Sequence, residues 1–126
     1  MNEIELTNKS FLVSETDQDG NITFANDEFC EYSQRSIEEL IGKPHNIVRH
    51  PDMPKKIFEQ MWSTIKSGNK WRGFIKNKTA KGNSYWVFAT VYPFVSCSGT
   101  KGFISCRRKA APKEIAKYEA LYKTMH

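Results

Sequence analysis

The chain has 126 residues, 19 Lys and Arg against 14 Asp and Glu, and a net charge of +5. That length builds one domain with a real core and is too short for two. No apolar run approaches the roughly 20 residues of a membrane span, and the polar opening Met1 to Ser10 is no secretory signal. Three scattered cysteines without a Cys-x-x-Cys pair point to reduced thiols in the cytoplasm and argue against a structural zinc site.

Aromatic residues reach 13% of the chain, so rings carry much of the core volume. Phe11-Leu12-Val13 and Ile22-Thr23-Phe24 are short apolar segments separated by Thr16-Asp17-Gln18-Asp19-Gly20-Asn21, a strong turn signal, and they predict a hairpin. The Asp-Gln-Asp-Gly-Asn string has its glycine too early for a calcium loop and no closing glutamate, so it reads as a turn. Ala25 to Tyr32 has helical spacing. Ser36-Ile37-Glu38-Glu39 is a capping box, and Gly42 stops the helix it opens.

Asn46-Ile47-Val48-Arg49-His50-Pro51-Asp52-Met53-Pro54 packs a cation, an imidazole and a carboxylate into four residues between prolines. Pro51 and Pro54 push His50 and Met53 out of the helical region, which predicts a rigid, extended segment suited to a binding wall. Pro54 then opens the best helix of the chain. Ile57, Phe58, Met61, Trp62 and Ile65 form its apolar face, and Gly68 ends it.

Strands follow. Trp71 to Asn77 places Trp71, Gly73, Ile75 and Asn77 on one face. Ala80-Lys81-Gly82-Asn83 is a turn. Ser84 to Val95 is apolar on both faces, which predicts cover on both sides. Lys101 to Arg108 is the last strand, and Pro112 starts a terminal helix. Ile115, Tyr118, Tyr122 and Met125 give that helix a coiled-coil seam of barely two heptads, too short to hold a dimer alone. The expectation is a helix that passes a signal to a partner or begins a longer one. Two strands, several short helices, one longer helix and three strands make an α+β fold: an antiparallel sheet, helices crossing one face, and a cavity between them.

The positive excess is local. Lys66, Lys70, Arg72, Lys76, Lys78 and Lys81 occur without an acid, and Arg107-Arg108-Lys109 forms a second cluster. Such runs are usually solvated strand faces. No nucleic-acid module accompanies them, so nucleic acid is not expected as a partner.

A sheet roofed by short helices encloses a pocket for a flat ring, mostly apolar with a few placed polar groups. Asn77, with two donors and an acceptor, suits a ring edge or else bonds the following turn. Trp62 is a core residue or a ring neighbour. Arg49 suits a phosphate through bidentate bonds, with the following helix N-terminus adding partial positive charge. Asp52 is a helix cap, a ribose contact, or the residue that orients Arg49 or His50. His45, beside Pro44, reads as a surface or capping residue.

The string Val48-Arg49-His50-Pro51-Asp52-Met53-Pro54 resembles the cofactor region of the FAD-binding PAS domains of bacterial aerotaxis receptors. Further matches occur in order: Ala25-Asn26-Asp27, Met61-Trp62, Lys70-Trp71, Lys76-Asn77, Tyr85-Trp86-Val87 and Glu119-Ala120-Leu121-Tyr122-Lys123. The resemblance covers roughly residues 10 to 124. It implies a PAS fold with a five-stranded antiparallel sheet, short helices over one face and a C-terminal helix. It divides the chain into a polar lead segment (1–9), a sensor domain (10–110) and a connector helix (111–126). It makes Arg49, His50, Asp52, Trp62, Trp71, Asn77 and, more weakly, Asn26 the cofactor residues. The implied function is a cytoplasmic, non-enzymatic sensor that holds FAD non-covalently and reports redox, oxygen or energy status for aerotaxis. Its implied partner is a chemotaxis receptor or signalling-domain protein, with a homodimer possible and no membrane insertion. Two alternatives stay open: a haem-binding gas sensor using His50, and a cofactor-free interaction module.

Overall fold

Turn chemistry fixes the first hairpin. In this computed structural model, which describes residues 3–126, strand β2 (Leu12–Asp17) pairs antiparallel with β3 (Ile22–Ala25). The Asp17 carboxylate accepts from the backbone N–H groups of Asp19 and Asn21, both at 2.9 Å, and Gly20 takes the left-handed region at φ +86°. The aspartate therefore serves its own turn. Met1 and Asn2, the start of the lead segment, lie outside the described residues.

Helix α1 (Asp27–Ser33) is capped by Asn26, whose side chain accepts from Phe29 N–H. Helix α2 (Ile37–Leu40) carries the full Ser36–Glu39 capping box. Gly42 follows it at φ +82°, the position where a left-handed residue ends a helix. The proline-bounded segment is less extended than its sequence predicts. It opens with a 3-10 turn (His45–Val48), runs extended at Arg49, and closes in a turn with Met53 N–H on the His50 carbonyl. Pro54 then stands as the cap of helix α3 (Lys55–Lys66), not as its first residue.

Strands β4 (Trp71–Lys78), β5 (Ser84–Val95) and β6 (Lys101–Lys109) complete the sheet. β5 pairs with β4 on one side and β6 on the other, β6 pairs with β2, and β2 with β3, all antiparallel. A sixth strand, β1 (Glu3–Ile4), was not legible in the sequence. It runs parallel to β5 at Ser84 and Tyr85, on the side where β6 has already run out at Lys109. Lys109 bridges to Glu5 at 3.2 Å beside this junction. Two residues are too few for periodicity to register.

The doubly covered stretch of β5 is its first half. Tyr85, Trp86, Val87, Ala89 and Val91 are buried, while Val95 is 61% exposed. The outer cover is helix α4 (Pro112–Lys123). Tyr118 stacks on Phe74 with centroids 4.4 Å apart, Tyr122 stacks on Trp86, and the Tyr122 hydroxyl donates to the Phe74 carbonyl at 2.7 Å. The heptad-like seam of Ile115, Tyr118, Tyr122 and Met125 is thus spent on the domain's own core, not on a coiled coil.

One close approach occurs where β6 leaves the β5–β6 hairpin beside the end of β2. A Cβ on Gly102 of β6 would collide with the Thr16 backbone carbonyl in β2. Backbone cannot swing aside as a side chain can, so Gly102→Ala should destabilise the protein by about 1–3 kcal/mol or more in urea unfolding. Gly73→Ala is the informative contrast, because there the obstacle is the Trp71 indole, a side chain with rotamer freedom. A cost at Gly102 no larger than at Gly73 would contradict the close approach.

Candidate ligand-binding site

The inward faces of four strands and one face of α3 enclose a cavity. β4 contributes Ile75 and Asn77, β5 Val91, β6 Phe103, Ser105 and Arg107, and β2 Ser14 and Thr16. Phe58, Met61, Trp62 and Ile65 form the α3 wall, and His45, Asn46, Val48 and Arg49 close the side. About 600 Å³ here is free of atoms, a figure that takes in open solvent at the mouth, and the enclosed part is only about 70 Å³. Most of the exposed wall is aliphatic or aromatic, although eight of the lining residues are polar.

Those polar groups are mostly donors, and several have no partner. Thr16 Oγ1, Arg49 Nε and Asn77 Nδ2 are buried without a hydrogen bond among the described residues. A buried polar group left unmet costs about 1–3 kcal/mol. Three facing one cavity mark the place where a ligand with acceptors would be bound. The Arg49 guanidinium lies over the Phe58 ring at 3.7 Å, and burial lowers its pKa.

Arg107 is the deepest charge in the protein. It is 3% exposed and pairs with no carboxylate among the described residues. Its Nη2 donates to Ser14 Oγ at 2.9 Å and to His45 Nε2 at 2.8 Å, and its carbon centre stands 4.8 Å from the Phe29 ring centroid. Burial brings its pKa down to about 10. A guanidinium only donates, so His45 Nε2 must accept and the imidazole is neutral with its proton on Nδ1. Burial and then Arg107 push the His45 pKa down to about 3. His45 is therefore no surface or capping residue. The 3-10 turn aims its ring inward, edge-on to Phe29 at 5.7 Å.

The expected site residues divide. Arg49, Trp62 and Asn77 line the cavity. Trp71 shares their face of β4, but its indole lies across Gly73, and it does not line the cavity. His50 and Asp52 lie around the free edge of β4. His50 Nδ1 accepts from Asp52 N–H at 3.0 Å, and the Asp52 carboxylate bonds Lys76 Nζ at 3.0 Å, which lowers its pKa. Neither His50 nor Asp52 lines the cavity. All three hydrogen bonds of the Asn26 side chain go to backbone: Val13 N–H, Phe29 N–H and the Phe11 carbonyl. Its role there is structural.

Ser14, Thr16 and Arg107 escaped the sequence reading. Arg107 was hidden in a basic triplet read as solvated. Strand alternation separates it from Arg108 and puts it on the face of Phe103 and Ser105. A second groove leads out from the cavity along Gln18, Asp19, Gly20, Pro44 and Lys66, sharing His45, Asn46, Arg49 and Trp62 with it. It borders the C-terminal half of α3, whereas the sequence placed the phosphates at that helix's start.

The depressed His45 pKa has a definite sign in stability. The unfolded chain protonates this histidine near its ordinary 6.5, and the folded state resists until about 3. Stability is therefore full above 6.5 and is lost as pH falls through the window between the two values. The loss from pH 6.5 to 4.5 should be on the order of 2 kcal/mol from this group. His45→Gln, which keeps an acceptor for Arg107, should flatten the urea-measured slope over that range. His50, whose pKa is also lowered, chiefly by burial, leaves a smaller slope of the same sign. An unchanged slope in the variant would show His45 to be protonated in the fold.

The model of the PAS fold matches residues 10–107. The aerotaxis receptor of Escherichia coli K12 is 45% identical over 121 residues, 96% of this chain and 24% of the receptor. The nitrogen fixation regulatory protein of Klebsiella pneumoniae is 30% identical over 90 residues, 71% of this chain and 18% of that protein. Among solved structures, a light-oxygen-voltage domain studied with a flavin analogue superposes with a TM-score of 0.72 at 14% identity, covering 92% of this chain and 87% of that one. This last likeness concerns the fold alone. The chain spans about a quarter of the aerotaxis receptor and less of the nitrogen fixation regulator. It belongs to the PAS family.

Proposed function

We propose that this PAS domain is a flavin-based redox sensor that binds FAD non-covalently and passes its state to a signalling partner. The observation that carries the reading is the set of unmet donors in a largely apolar cavity: Arg49 Nε, Asn77 Nδ2 and Thr16 Oγ1 beside a buried Arg107 without a carboxylate. An isoalloxazine ring presents a matching edge of carbonyl and imine acceptors opposite an apolar dimethylbenzene end. The likeness to an aerotaxis receptor over nearly the whole chain supports the same choice.

The residues divide the work by position. Asn77 and Arg107 would meet the polar edge of the ring from the sheet. Phe58, Met61 and Trp62 would cover it from α3, excluding water and so strengthening each bond inside. Arg49 stands where the cavity meets the outer groove, and Lys66 lies further along it. These two cations would serve the pyrophosphate of a tail leaving by that groove. Bound FAD would supply reversible electron acceptance; the protein supplies binding and electrostatics. A change of charge at the ring edge alters what Asn77 and Arg107 prefer to bond. Only such a differential interaction can shift a conformational equilibrium. Ser14 Oγ and His45 Nε2 stand 3.0 Å apart, but Arg107 donates to both and the imidazole, with its pKa down to about 3, is too weak a base; the reading is of a sensor, not an enzyme. The partner proposed for its output is a chemotaxis-type signalling protein.

Protein purified from a flavin-rich host should be yellow and release FAD, not FMN, on denaturation. Arg49→Ala and Asn77→Ala should weaken reconstitution by ten- to a hundredfold, the equivalent of about 1.5–3 kcal/mol, with the fold retained. Trp62 fluorescence should be quenched on reconstitution. A colourless protein that ignores added FAD would overturn the assignment, and a Soret band would replace flavin with haem.

A further inference from the structure

The concave face of the β5–β6 hairpin outruns the helix that covers it. Helix α3 ends at Lys66, and Gly68 turns the chain away at φ +94°. Beyond that point Pro93 and Val95 of β5 and Phe103 of β6 continue the inward face of the sheet, and with Ile65 they floor an open groove. Val95 is 61% exposed, the most exposed large apolar side chain among the described residues. Phe103 and Ile65 also line the ligand cavity, so the groove and the cavity share a wall.

The charged side chains that line this groove have one sign. Residues 60–113 contain eleven Lys and Arg and no Asp or Glu, so the rest of the chain is net negative. Lys66 and Lys101 rim the groove. Neither has an ion pair among the described residues. Asp17, paired in register with Gly102, is the nearest carboxylate in the sheet, and its oxygens are occupied by Asp19 and Asn21. An aliphatic floor between unpaired cations favours a protein segment that is apolar on one side and acidic on the other. A nucleic-acid backbone would gain nothing from Pro93 and Val95.

We infer that the groove between the β5–β6 hairpin and the end of α3 is a docking site for an acidic amphipathic segment of a partner protein. Its occupant would press on Phe103, one side chain away from the cavity. Lys66 also borders the outer groove, so a flavin tail there would compete for it, while Lys101, Pro93 and Val95 belong to this groove and not to the cavity.

The test uses ¹⁵N-labelled protein and two synthetic amphipathic peptides with leucines at helical spacing. One carries glutamates on its polar face and the other lysines. The glutamate peptide should shift amides of residues 65–68 and 93–103, with affinity falling as salt rises. Val95→Asp should weaken it at least tenfold. Lys66→Glu with Lys101→Glu should do the same and should transfer binding to the lysine peptide. All these positions are at the surface, and a dispersed spectrum verifies the fold of each variant. The proposal fails if shifts map to α4 or the outer face of β4, or if both peptides bind alike. It also fails if Val95→Asp acts only by abolishing a dimer of this chain, or if oligothymidylate occupies the groove as well as the glutamate peptide does.

Discussion

A guanidinium buried without a carboxylate is the constraint around which this domain is arranged. Arg107 on β6 reaches Ser14 on β2 and His45 on the 3-10 turn. One side chain thus ties the middle of the sheet to the segment that walls the cavity. Burying a cation costs several kcal/mol unless charge or well-placed acceptors compensate. Here the compensation is a hydroxyl, a neutral imidazole, the Ser105 carbonyl at 3.4 Å and an aromatic face. Such an environment leaves the residue attractive to negative charge and dictates the protonation state of its neighbour. His45 is neutral because Arg107 needs an acceptor, and it is inward because Pro44 starts the turn that aims it.

The same economy appears at the sheet edges. β3 is flanked by the chain after α2, where Gly42 N–H meets the Ile22 carbonyl and Ile22 N–H meets the Lys43 carbonyl. β4 is flanked by the proline-bounded segment, through the Arg49–Asn77 bridge and His50 N–H on the Lys76 carbonyl. Unpaired strand edges invite pairing with other chains. Part of each of these edges is covered here by a segment that also frames the cavity.

The fold was largely legible because each of its longer elements carries a local signal. The Ser36 capping box, the α3 periodicity, the alternation of β4 and the glycine-bearing turns each act within a few residues. The site was legible where a residue's face follows from its element, as for Trp62 on α3 and Asn77 on β4. It was not legible where position depends on packing between distant parts. His45 and Arg107 are 62 positions apart, and each looks like a surface residue by itself. The motif containing Arg49, His50 and Asp52 was read as one unit, yet its members split across a strand edge. Arg49 turns into the cavity, while the other two face Lys76. A one-residue change of direction in a proline-stiffened loop is invisible to composition.

That split gives the segment a mechanical character. Residues 49–53 are laced along the β4 edge, and at their far end the Asp52 carbonyl accepts from His126, just beyond α4, at 2.6 Å. Wall, edge strip and terminal helix are therefore one continuous strap wound around a single strand. A strap of this kind transmits tension rather than shape. Drawing Arg49 outward would load the Arg49–Asn77 bridge first and the His50–Lys76 hydrogen bond next. The Asp52–His126 contact lies at the far end of the same short run of backbone.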